Sequence, residues 1–191
     1  ITEIDQLSAQ IQLPGVALAL DPEFLLIPER IVDYCINQRQ IYKEKLARLD
    51  SLTTYFNKMD RIIQSNNAAK QSLNTMLDTI RTGEAQWEDY FALLDDARAQ
   101  RDSLRRQVDN LTAPAETESH KKELSRLLTL SLEYCDIMKA GATLEEQNNF
   151  TGANEKYLAA QKLNDKIQDA YWAFTNQYAA DKARLTNIDN L

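Results

Sequence analysis

Apolar residues recur along most of this chain at alternating steps of three and four, the spacing of one face of an α-helix. The longest such stripe runs Leu73, Leu77, Ile80, Glu84, Trp87, Phe91, Leu94, Arg98, Arg101, Arg105, Val108, Leu111. Thr82-Gly83 falls inside it, but the register is the same on both sides. The pattern therefore predicts one long helix over about 67–111, with Gly83 as a weak spot costing about 1 kcal/mol relative to alanine. An earlier stripe, Ile31, Cys35, Gln38, Tyr42, Leu46, Leu49, Leu52, Phe56, Met59, Ile63, predicts a helix over about 29–64 that opens at Pro28-Glu29. Ser65-Asn66-Asn67 reads as the turn between the two.

Thr112-Ala113-Pro114-Ala115 ends the second helix. The third, over about 115–149, carries Leu124, Leu127, Leu128, Leu130, Leu132, Cys135, Ile137 and Met138, an arc wide enough for contact on more than one side. Gly141 and the capping box Thr143-x-x-Glu146 predict a break near 141. The fourth helix, about 152–188, reads Tyr157, Ala160, Asn164, Ile167, Tyr171, Phe174, Tyr178, Asp181, Leu185, Ile188. Four stripes with short connections predict an all-α fold: an elongated antiparallel bundle of four long helices, up-down-up-down. The run Asn149-Phe150-x-x-Ala153-x-x-x-Tyr157-x-x-Ala160 is similar to the hairpin of a tetratricopeptide repeat. It covers about twelve residues and lacks the 34-residue recurrence of such arrays, so it is read as a general way of closing two antiparallel helices.

Residues 1–28 stand apart. They hold three of the four prolines (Pro14, Pro22, Pro28), and their only charges are negative: Glu3, Asp5, Asp21 and Glu23. The apolar runs Val16 to Leu20 and Phe24 to Ile27 predict a packed N-terminal strap, with a tether to a partner or membrane as the alternative. The first residue is Ile1 rather than Met, which points to a processed or trimmed product, removal of a signal peptide or lipoprotein leader being one route.

Composition narrows the function. Twenty-two basic against 29 acidic residues give a net charge of −7, which argues against nucleic acid and against a polybasic grip on anionic membranes. No run approaches the 18 or so apolar residues of a membrane span. Cys35 and Cys135 each lie in an apolar stripe and read as buried free thiols; a disulfide is the alternative in an oxidising compartment.

Catalytic patterns are missing. One histidine, His120, cannot build a di-iron Glu-x-x-His site and reads as an exposed first-turn residue. There is no Cys-x-x-Cys, Gly-x-Gly-x-x-Gly, P-loop or Gly-x-Ser-x-Gly, so no catalytic, cofactor or metal residue is assigned and no cofactor is expected. Asn110-Leu111-Thr112 and Asn149-Phe150-Thr151 match the glycosylation acceptor triplet at predicted turns.

What remains is binding. Trp87 and Phe91, with Tyr171, Phe174 and Tyr178, are the candidate ligand or partner contacts, provided the second and fourth helices bring them into a common layer. Gln38, Asn164, Asp181, Arg98, Arg101 and Arg105 lie on otherwise apolar stripes, and either set helix register or face a partner. The expected function is a non-catalytic interaction or spacer module with a protein partner. A cell-envelope lipoprotein or secreted protein is the favoured setting and a cytoplasmic adaptor the alternative; self-association is compatible with both. The second reading is a ligand-sensing bundle that holds a small apolar molecule between helices.

Overall fold

The computed structural model describes residues 27–68 and 72–187; the strap expected over residues 1–28 lies almost wholly outside them. Among the described residues five helices follow in order: α1 (Ile27–Ala68), α2 (Ser72–Arg81), α3 (Trp87–Asp109), α4 (Glu118–Glu146) and α5 (Phe150–Leu185), with a 3-10 turn at Ala115–Thr117 before α4. No strand occurs among the described residues, and the fold is an all-α antiparallel bundle.

The chain divides into two units: residues 1–51 with 187–191, and residues 52–186. In the first unit, the described part of α1 leaves Ile31, Tyr34, Ile36, Ile41, Tyr42 and Leu46 exposed. The second unit holds the packed core. From Leu52 onward the α1 stripe is buried through Tyr55, Phe56, Met59 and Ile62.

Polar pairs fix the helix directions in this second unit. Lys139 bonds Asp95 at 2.6 Å, Arg98 bonds Asp136 at 2.7 Å and Ser125 bonds Asp109 at 2.6 Å. Each step forward on α3 is matched by an equal step back on α4, so the two are antiparallel. Tyr157 to Glu145 and His120 to Asp181 give the same relation between α4 and α5. Tyr171 bonds Asn67, and further along α5 Tyr178 bonds Asp60. Still further back on α5, Arg81 of α2 lies 5.4 Å from the ring centre of Tyr157. The second half of α1 and then α2 thus run in succession along α5, in one direction.

This corrects the expected turns. Asn66 and Asn67 are helical and do not reverse the chain; the reversal is at residues 82–86. Gly83 adopts φ +77°. Its amide bonds Ile80 O at 2.9 Å and the Glu84 amide bonds Thr79 O at 2.9 Å, the paired bonds of a Schellman cap with glycine in the left-handed position. Asp89 Oδ2 then accepts the Gln86 amide at 3.3 Å, satisfying a free donor at the start of α3. The helix expected over 67–111 is therefore a hairpin. Its stripe stays in phase because Leu77 and Ile80 on one arm and Tyr90, Leu94 and Ala97 on the other pack into one cluster with Cys135, Met138, Ala142 and Ala160.

The buried face of α3 is also turned from the expected one: Tyr90, Leu94, Ala97, Arg101, Leu104 and Val108 are inside, while Arg98 is exposed and Trp87, Phe91 and Arg105 are half-buried. In α4 the expected break does not occur. The helix runs unbroken to Glu146, with Gly141 and Ala142 buried, and the Thr143 hydroxyl bonds Lys139 O at 2.9 Å instead of capping a new helix. The α4–α5 turn closes with Asn148 at φ 61° and the Asn149 side chain accepting from the Gly152 amide at 3.1 Å.

Candidate functional site

The helix order places α2, α4 and α5 around a cleft of about 460 Å³. Its lining alternates in chemistry. Leu77 of α2 and Met138 of α4 are buried apolar residues; Tyr134 and Tyr157 add half-buried rings and Leu158 stands on the rim. Asn154, Gln161 and Asn164 of α5 bring three side-chain amides, none of which bonds another described residue.

The wall at the Arg81 end is built by charge. Arg81 Nε and Nη2 donate to the two Glu145 oxygens at 3.0 and 3.1 Å, and the Tyr157 hydroxyl donates to Glu145 Oε2 at 2.7 Å. Burial pushes the Glu145 carboxyl up, but the bonds from Arg81 and Tyr157 outweigh it and hold the group below its ordinary range. The same pairing raises Arg81. Burial, then the bond to Glu145, pushes the Tyr157 phenol far up, and burial raises Tyr134 as well. At neutral pH the described residues of the cleft therefore present one cation already neutralised by its carboxylate, together with protonated phenols and neutral amides.

The five aromatic candidates do not line this cleft, and they do not share a layer. Trp87 and Phe91 stack on each other at 6.1 Å and join the cluster around Tyr90 and Cys135. Tyr171, Phe174 and Tyr178 belong to the far end of α5: Phe174 and Tyr178 are buried, and Tyr178 meets Phe56 at 5.5 Å and His120 at 5.5 Å between ring centres. By the antiparallel register, Phe91 is level with Thr143 and Tyr171 with Leu130, which separates the groups by about 20 Å along α4. Their rings pack helices together.

His120 corrects its expectation too. It is 3% exposed, with Nε2 3.0 Å from Asp181 Oδ2 and the ring against Phe56 and Tyr178; Nδ1 has no hydrogen-bond partner. The residues that broke the apolar stripes separate in role. Asp181 pairs with His120, Arg98 with Asp136, and Arg105 with Asp102 and Asp109, whereas Arg101 is buried and donates to Ala97 O of its own helix. Only Asn164 belongs to the cleft.

Sequence reasoning missed the cleft because its walls come from three helices whose order depends on the reversal at Gly83. The one signal available was the row of amides Asn154, Gln161 and Asn164 on an otherwise core-forming helix. A smaller hollow of about 370 Å³, lined by Lys58, Arg61, Ile62, Gln107, Asn110 and Leu111, lies between α1 and the end of α3. Among the described residues no cluster of His, Cys, Asp and Glu could hold a metal ion, and no helix is long and apolar enough to cross a membrane. No family model, curated protein or solved structure matches this chain.

Proposed function

We propose that this chain is a non-catalytic helical-bundle interaction module. The observation that supports it is the lining of the α2–α4–α5 cleft. Among its described residues there is no nucleophile beside a base, and its one charged side chain among them, Arg81, is held bidentate by Glu145. General acid–base chemistry needs a group free to exchange a proton near neutral pH. What the cleft offers instead is shape, apolar floor and neutral hydrogen-bonding groups that no described residue uses, which are the means of recognition.

The second reading, a ligand-sensing bundle, is favoured by the same position between helices, where small-molecule sites are built in bundles. The amide wall then asks for a ligand with polar edges rather than a purely apolar one.

Photo-crosslinking tests the module. Benzoylphenylalanine in place of Leu158, on the rim, is expected to trap one protein in an extract of the source cells. The band should vanish when excess unmodified chain is added and when Asn154, Gln161 and Asn164 are all changed to Ala. The same probe at Trp172, an exposed site about 21 Å further along α5, should not trap it. Equal labelling from both positions, or none from either, rejects the reading.

A further inference from the structure

We propose that the α2–α4–α5 cleft binds an uncharged, extended peptide segment through its backbone amides. This rests on the interaction-module reading and names the chemistry of the partner.

Charge comes first. Among the described residues Arg81 is the only ionised one lining the cleft, and both Glu145 oxygens hold it; the Tyr157 hydroxyl adds a third bond to that carboxylate. A charged ligand would find no free opposite charge among the described lining residues, and burying it unpaired is costly. The occupant that fits is neutral.

Hydrogen-bonding capacity comes second. The amides of Asn154, Gln161 and Asn164 each carry an acceptor oxygen and two donor hydrogens, and none is used by another described residue. A side-chain amide offers both halves of the bond pair that a peptide group offers, so the two match edge to edge. The three lie on one wall from position 154 to 164, a span of about 15 Å along the helix. An extended chain covers that distance in four to five residues. An exposed sheet edge holds an extended peptide by main-chain bonds while alternate side chains enter pockets; the three side-chain amides would take the place of that edge, with apolar ground beside them. Leu77 and Met138 supply that floor, and Tyr134 supplies a flat side.

The test uses the whole chain and a defined probe, acetyl-Ser-Val-Ser-Val-Ser-amide, whose valines can meet the floor while its serines face water. Its counterpart carries N-methyl groups on alternate amides, which keeps the side chains and removes donors. NMR of the side-chain amides should show shifts at Asn154, Gln161 and Asn164 with the first peptide. The N-methylated peptide should bind about tenfold more weakly, and Gln161→Ala should weaken the first peptide about fivefold, the effect of one hydrogen bond. Gln161 is exposed, so the variant should keep its helical spectrum. Equal affinity for the two peptides would overturn the backbone assignment. So would equal affinity for acetylalanine methylamide, which would make the ligand a small amide instead of a chain segment. Absence of any shift at millimolar peptide would overturn it as well. If crosslinking from position 158 persists while the peptide fails, the module stands and only the backbone assignment falls.

Discussion

Gly141 on α4 lies directly under the ring of Tyr157 on α5: a Cβ added to the glycine would stand 2.7 Å from Tyr157 Cε1 and 3.0 Å from Cδ1. The ring cannot easily give way, because its hydroxyl is tied to Glu145 and its face carries Arg81. Gly141→Ala should therefore destabilise the protein by about 1–2 kcal/mol, overpacking winning over the roughly 1 kcal/mol that alanine gains as a helix former. Urea unfolding measures it. A variant more stable than the parent would mean that Tyr157 is free to move, and that this wall of the cleft is not fixed.

Gly83 is a different case. Nothing lies within 4 Å of a Cβ there, but φ is +77°. Space is no obstacle; backbone conformation is. Gly83→Ala should cost about 1 kcal/mol and Gly83→Asn less, since asparagine tolerates the left-handed region. Equal unfolding midpoints for the two variants would remove the Schellman cap from the account.

How much of this was legible in the sequence follows from those two glycines. Periodicity finds helices and their inner faces, and the all-α bundle follows from it. It does not separate a helix that continues from one that turns back onto the same core, because both arms of a hairpin keep their apolar residues in phase. Leu77 and Leu94 look like members of one helix face, and they belong to one cluster built from both arms of a turn. Nor does composition separate a glycine that breaks a helix from one that admits a ring: Gly83 and Gly141 exchanged their expected roles. His120 was misread for a related reason, since its partner Asp181 lies 61 residues away.

Tyr178 joins α5 to α1, donating to Phe56 O at 3.2 Å and to Asp60 Oδ1 at 2.7 Å. Tyr178→Phe keeps the ring and removes both bonds. It should cost about 1–2 kcal/mol, because Asp60 loses one donor and keeps Lys182. Trp172→Ala, at a side chain 70% exposed, should stay within about 0.5 kcal/mol. A large loss at Trp172 would mean that this ring is covered.

Cys35 and Cys135 are both free thiols, Cys135 buried and Cys35 half-buried. Burial also pushes the Cys135 thiol up, leaving less of the reactive thiolate. Iodoacetamide on the native protein should modify Cys35 well before Cys135, with both reacting in urea. Mass spectrometry of timed digests gives the order, and simultaneous modification under native conditions would place Cys135 outside the core.

Asp181 contributes to the acid limb of stability. Bonds from Gln177 and Arg184, with His120 beside it, hold its carboxyl down from the usual 3.8 to about 2. In the unfolded chain the group takes up a proton near pH 4, whereas in the folded protein it resists until about pH 2. The unfolded state therefore binds more protons across that window, and stability must fall as pH drops through it. The contribution is fully present above pH 4 and lost near pH 2. Because Gln177 and Arg184 are exposed, screening reduces it to about 1 kcal/mol. Asp181→Asn should lose that amount at neutral pH and descend less steeply between pH 4 and 2. Some slope should remain, since Glu145, Glu123 and Asp102 are also held low. Urea midpoints taken at intervals from pH 6 to 2 for both proteins make the comparison. Parallel curves would assign the acid limb to other carboxylates and leave the His120–Asp181 pair as a packing contact only.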